Sequence, residues 1–263
     1  MSRLAVALVA LCTLIAIALT GIQPAGAEQS APPARKASFD DRDPVDFGRF
    51  GPRKLPVHGI DVARFQGDIN WRKARRAGVN FAFIKATEGG DLLDPAFRDN
   101  WRGAARAGVL RGAYHFYYFC TSATKQAKWF IRNVPRAKGA LPPVLDMEWN
   151  PYSPTCKKRP PAQDVRRSMK TFLNRVERHF GQRPIIYTTP KFYRENRLDR
   201  LTGEEFWLRA VAKTPDQIYP GQGYSFWQYS GTGIIDGIDG DVDLNAFAGT
   251  RKTWTEWLAR RRQ

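Results

Sequence analysis

From Val57 onward the chain alternates short apolar runs with longer amphipathic stretches, a pattern that few architectures accept. The runs at 57–62, 81–86, 110–118, 144–148 and 184–188 have strand length. Between them lie helix-period stretches at 69–77, 95–107, 123–133 and 163–180, with a shorter one near Phe192. Three of these stop at Gly78, Gly108 and Gly181, as helices often do. Strand–helix repeats of this kind build parallel sheets covered by helices. After Thr188 the alternation fails. Segments 206–210, 225–229 and 242–244 read as strands with no comparable helical stretch between them, and 253–260 reads as a closing helix. Eight strands with helices after only the first five predict an α/β fold, a modified TIM-like barrel of the form (β/α)5β3, and about 210 residues suffice for one such domain. An open doubly wound sheet is the competing architecture. No Gly-rich nucleotide loop follows the first strand, which counts against it.

Two segments precede the barrel. Arg3, the apolar run from Leu4 to Leu19 and the small-residue triplet Ala25-Gly26-Ala27 read as a signal peptide over 1–27. An uncleaved signal anchor is the alternative. Residues 28–55 contain Pro32-Pro33, Asp40-Asp41 and Pro52 with no apolar period, which predicts a flexible linker and leaves 56–263 for the barrel domain. Export implies a secreted or periplasmic, cell-envelope location, with no stable membrane insertion once the signal is cleaved. Cys12 departs with the signal. Cys120 and Cys156 remain as an even pair in an oxidising compartment, and a disulfide between them is expected.

The formal net charge is +17, and Arg3 is the only charged residue in 1–27, so the mature chain carries about +16. Such a balance favours polyanionic partners. Export points to an anionic envelope rather than to nucleic acid, for which no recognised binding motif is present. A solvated basic face is the plain alternative.

Chemistry in a β/α barrel sits at the C-terminal ends of the strands, and acids recur there. Asp61 lies near the end of the first strand, Glu88 follows the second, Asp146 and Glu148 close the fourth, and Asp241 and Asp243 flank the last. Residues i and i+2 of a strand share a face, so Asp146 and Glu148 project together with Cα atoms about 6.5 Å apart. Like charges that close disfavour simultaneous ionisation and raise one pKa, and a raised carboxylic acid suits protonation of a glycosidic oxygen. A capping or salt-bridging pair is the bland reading of the same triplet. In a closed barrel the first and eighth strands are neighbours, which would set Asp61 beside Asp243. Aromatic residues gather at the same rim, including Phe116 and Trp207. Half of them are expected to be core. Tyr114, Tyr118, Trp149, Tyr187, Trp227 and Tyr229 are the candidate substrate-binding rings, able to stack on sugars. His58, His115 and His179 are scattered without metal-ligand spacing, and His115 reads as a core histidine. Neither a nucleophile elbow nor a P-loop is present. No metal or organic cofactor is expected.

These acidic segments resemble glycoside hydrolase family 25, the Chalaropsis-type lysozymes or N-acetylmuramidases. The resemblance is carried by His58-Gly-Ile-Asp-Val-Ala-Arg-Phe-Gln-Gly67, Phe81-Ala-Phe-Ile-Lys-Ala-Thr-Glu-Gly89, Gly112-Ala-Tyr-His-Phe116, Val144-Leu-Asp-Met-Glu148, Phe226-Trp-Gln-Tyr-Ser230 and Gly240-Asp-Val-Asp-Leu-Asn245. It implies a (β/α)5β3 barrel, cleavage of the β-1,4 bond from N-acetylmuramic acid to N-acetylglucosamine in peptidoglycan glycan strands, and Glu148 as general acid. Asp61, Asp146 and Asp243 fall on the family's other active-site carboxylates. Phe65 departs from the tryptophan or tyrosine common before Gln66. For the second step, a carboxylate nucleophile requires carboxyl groups about 5–5.5 Å apart. Family-level comparison favours assistance by the substrate's own acetamido group, with Asp146 as orienter. A monomer is expected. Three other functions compete: a chitinase-like hydrolase, a non-catalytic peptidoglycan-binding module and a basic nucleic-acid-binding protein. The Cys120–Cys156 bridge is expected to hold the loop carrying Trp149–Thr155 on the active-site face.

Overall fold

The computed structural model describes residues 38–261; the signal peptide expected at 1–27 and residues 28–37 of the expected linker lie outside the described residues. The elements follow in order β1 (Phe39–Asp41), β2 (His58–Val62), α1 (Trp71–Ala77), β3 (Phe81–Glu88), β4 (Leu92–Leu93), α2 (Phe97–Arg106), β5 (Leu110–Phe116) and α3 (Ala123–Asn133). Then come β6 (Val144–Met147), α4 (Ala162–Phe180), β7 (Ile185–Thr188), α5 (Pro190–Glu195), β8 (Phe206–Arg209), the single turn α6 (Pro215–Ile218), β9 (Phe226–Ile235), β10 (Val242–Phe247) and α7 (Arg251–Ala259).

Strands β2, β3, β5, β6, β7, β8 and β9 pair in parallel, in that order. β10 closes the ring between β9 and β2, antiparallel to both. The fold is therefore the α/β barrel expected from the alternation, with one strand reversed. Within the stretch read as linker, β1 adds to the outside of β9, Phe39 opposite Ile235.

Local chemistry sets the helix limits. Asn70 caps α1 by accepting from the Lys73 amide, and Ser122 does the same for α3 through the Lys125 amide. α4 carries Val165, Met169, Phe172, Leu173 and Val176 on one buried stripe and ends at Gly181, whose φ of 71° is left-handed.

The barrel wall divides the core in two. Outward residues such as Ile60, Ile84, Leu145, Ile186 and Leu208 pack under the helices. Inward residues such as Phe81, Phe83, Val144, Ile185, Trp207 and Phe226 fill the lumen. A side chain at Gly59 would meet the Phe81 carbonyl at 2.4 Å, so the glycine is what admits that ring. α7 plugs the end of the lumen where the parallel strands begin. Its Trp254 and Trp257 stack with centroids 5.4 Å apart, and Trp254 meets Phe81 and Phe247. Among the described residues α7 covers that end of the filled lumen, and a cavity opens at the opposite mouth.

Candidate active site

At that mouth the inward positions change from aromatic to ionisable. Asp61, Lys85, Tyr114, Asp146, Glu148, Tyr187, Arg209, Gln228 and Asp243 line a cavity of about 310 Å3, with Phe65 and Trp207 also on its walls. Asp61, Asp146 and Arg209 stand at the C-terminal ends of parallel strands, where the barrel geometry puts functional groups. Asp243 reaches the same place by the opposite route. Because β10 is reversed, its beginning lies at the mouth, and Asp243 sits directly across from Asp61 in the ladder.

Asp61 is held by a chain of side chains. Its Oδ1 accepts from Gln228 Nε2 at 3.0 Å and from Asn245 Nδ2 at 2.7 Å. Gln228 in turn accepts from the Tyr187 hydroxyl at 2.9 Å, and Asn245 from Trp207 Nε1 at 2.8 Å. These outer donors leave each amide only its NH2 for the carboxylate, which fixes both rotamers.

The acids are all pushed toward their neutral forms. Burial raises Asp61 to about 6, against the pull of Asn245, Gln228 and the Arg209 charge. Burial raises Glu148 to about 7; Arg209 and Lys85 oppose the shift and Asp61 adds to it. Burial and the facing Asp61 raise Asp243 to about 8. Asp146 is driven well above the usual carboxylate range by burial and by Glu148, and its Oδ1 is buried without a hydrogen-bond partner among the described residues. The result is a cluster that holds protons near neutrality, as acid catalysis requires.

Lys85 Nζ bridges to Glu88 Oε2 at 2.5 Å and lies over the Phe116 ring, 4.9 Å from its centroid. The Tyr118 hydroxyl also donates to Glu88. Glu88 thus sits behind Lys85 and is tied up in ion pairing. His115 is buried in the outer core between Thr87 and Gln126.

The expected rings separate into three groups. Tyr114 and Tyr187 line the cleft. Tyr118 and Trp149 line a neighbouring cavity that shares Glu148 with it. Trp227 and Tyr229 are not brought to the site. Phe226 and Gln228 face inward, so the two-residue period of β9 turns Trp227 and Tyr229 outward. There Trp227 meets Phe47 edge-on at 5.0 Å and donates to the Ala210 carbonyl, while the Tyr229 hydroxyl lies 3.1 Å from His58 Nδ1.

Arg209, Lys85, Gln228 and Asn245 are site residues that the sequence reading did not single out. Parity would have found Gln228 and Asn245, each two residues from an inward aromatic residue. The signal for Arg209 is a lone cation closing an apolar strand. Cys120 and Cys156 form a disulfide with Cα atoms 5.8 Å apart, tying the segment after β5 to the loop between β6 and α4.

Comparison with known proteins places these features among relatives. The family model described as "Glycosyl hydrolases family 25" matches residues 60–238. The Escherichia coli K12 protein named "Uncharacterized protein YegX" is 38% identical over 205 residues, covering 76% of this chain and 72% of its own. "Lysozyme M1" of Streptomyces globisporus is 37% identical over 215 residues, covering 74% and 68%. Among solved structures, a family 25 glycosyl hydrolase from Bacillus anthracis superposes with a TM-score of 0.71 at 36% identity, covering 77% of this chain and 94% of its own.

Proposed function

The chain belongs to glycosyl hydrolases family 25, and from that premise we propose that it is a lysozyme that hydrolyses the β-1,4 bond between N-acetylmuramic acid and N-acetylglucosamine in peptidoglycan. The observation that carries the reading is the pair Asp146 and Glu148 in a cleft sealed from below, one with an unpartnered buried oxygen and the other holding its proton up to about 7.

In this reading Glu148 donates its proton to the glycosidic oxygen as the bond to the muramic anomeric carbon breaks. The acetamido oxygen of the same sugar closes onto that carbon, forming an oxazolinium ring. The unpartnered Asp146 Oδ1 accepts the acetamido N–H, orienting the group for attack. Glu148, now a carboxylate, takes a proton from water, and the water oxygen opens the ring at the anomeric carbon. Two inversions give retention. Asp61, which ionises at a lower pH than the Asp243 facing it, holds negative charge beside the developing oxocarbenium character.

The substrate class puts the enzyme's work in the cell wall, outside the cytoplasm. Residues 1–27 as an export signal, 28–55 as a linker whose β1 and Phe47 are docked on the barrel, 56–263 as the catalytic domain and action as a monomer complete the proposal. Digestion of purified peptidoglycan by the protein and by Glu148→Gln, with mass spectrometry of the products, tests it. Muropeptides with new reducing-end N-acetylmuramic acid, absent with the variant, are the expected outcome. No release from wall by the folded protein would overturn the reading in favour of a binding module or another glycan.

A further inference from the structure

The second cavity beside Glu148 has no part in the chemistry above. It encloses about 160 Å3 under the loop that joins β6 to α4, and its walls include Tyr118, Trp149, Lys157, Lys158 and Arg159. Glu148 is the wall it shares with the cleft, so the two spaces meet at the catalytic acid. The side-chain chemistry changes across that wall. The cleft is predominantly acidic, whereas the outer cavity carries three consecutive cations and Glu148 as its only acid.

Those cations are unspent. Lys157, Lys158 and Arg159 are exposed, and none forms an ion pair among the described residues. Arg159 lies over the Trp149 ring, 5.1 Å from its centroid, and Trp149 Nε1 is tied to Glu195 at 2.5 Å. Cys156, next in sequence to Lys157, is buried and bridged to Cys120. The basic run is therefore anchored at both ends, by a covalent link and by a ring.

We propose that this cavity binds the acidic peptide that N-acetylmuramic acid carries on its lactyl ether, with Lys157 and Lys158 meeting its carboxylates. The proposal rests on the muramidase reading. The lactyl ether leaves the sugar whose bond Glu148 protonates, so its peptide must exit the cleft within one sugar of Glu148, where this cavity opens. A cleft whose acids are held toward their neutral forms offers such a peptide little counter-charge. A fixed cationic wall beside it makes the substituted glycan the better substrate.

The test compares glycan strands bearing stem peptides with strands stripped by an amidase, using the parent protein and Lys157→Glu/Lys158→Glu. The parent is expected to favour peptide-bearing strands in kcat/KM, and the double reversal to lower that value about tenfold while moving the value on stripped strands less than about twofold. Lys157→Arg/Lys158→Arg should keep the preference. In the parent the preference should fade as salt rises, because exposed charges are screened within about 8–10 Å at ordinary ionic strength. Equal losses on both substrates would make the wall a glycan contact and overturn the inference, as would no loss on either. Cleavage of stripped strands by both proteins keeps the muramidase reading standing whichever way the peptide result falls. No release from either substrate by the parent would overturn both.

Discussion

Asp243 faces Asp61 directly across the antiparallel pairing of β10 with β2, and both point into the mouth of the barrel. Two carboxyl groups are thereby committed to one small desolvated volume: burial keeps both protonated to a higher pH than a free carboxylate, and the Asp61 charge raises Asp243 further.

That arrangement has a stability cost with a defined sign. Asp61, Glu148 and Asp243 titrate near 4 when unfolded but near 6, 7 and 8 when folded. Between those limits the folded chain binds more protons, so stability is complete below the lower limit and falls as pH rises through the upper ones. The melting temperature should drop by roughly 5 °C or more between about pH 5 and pH 9, and Asp243→Asn should flatten the slope. Thermal unfolding across pH measures this; a parent whose melting temperature rises over that range contradicts it.

Arg209 is the cation that most lowers the Glu148 pKa. Replacing it by glutamine removes that pull without adding a charge. The alkaline limb of the kcat/KM profile, expected near 7, should move up by about half a unit to one unit. A limb that stays in place or moves down would mean that Glu148 is not the acid being titrated.

Asp146→Asn should lower kcat by about 100-fold to 1000-fold with little change in KM, because the orienting contact matters once the acetamido oxygen attacks. A muramic thiazoline, which mimics the closed ring, should inhibit the parent strongly and the variant weakly. Isolation of a glycosyl ester on Asp146 would replace this account with a nucleophilic one.

Tyr229 contacts His58 in the outer core, not the cleft. Tyr229→Phe should cost about 1 kcal/mol in denaturant unfolding while leaving kcat/KM within about twofold. Tyr187→Phe removes the donor that orients Gln228 against Asp61 and should reduce kcat/KM by more than that. The reverse ranking would place the substrate on the other face of the barrel wall.

The bridge between Cys120 and Cys156 closes a sequence separation of 36 residues. Cys156→Ser should lower stability by about 3–4 kcal/mol, read as a shift in denaturant midpoint, provided the free thiol of Cys120 is kept from pairing elsewhere. A midpoint unchanged by the substitution would show that the loop needs no covalent tie.

Much of this site was legible because its chemistry lies on strands. Asp146 and Glu148 share a face by the two-residue period, and Asp61 and Asp243 become neighbours once eight strands are required to close. The same period, applied through β9 from Phe226, sends Trp227 and Tyr229 outward. Composition alone puts them at the rim, because it says nothing about parity. Reversal of β10 was hidden for a different reason. A strand of alternating residues reads alike in both directions, and only the short connection from β9, Asp236–Asp241, hints at an antiparallel return. Arg209 escaped because a basic residue in a chain of net charge +17 carries little information until its neighbours are known.

The seam between β2 and β10 also sets a timetable. Asp61, Asp146 and Glu148 leave the ribosome well before Asp243, and the reversed strand that brings Asp243 to the mouth precedes the plug helix α7. A nascent chain therefore holds most of its acids yet has neither a closed wall nor a sealed floor to desolvate them. Their raised proton affinity, and with it the power to cut, arises only once β10 and α7 have been made, so a chain cut before them would be inert rather than weakly lytic.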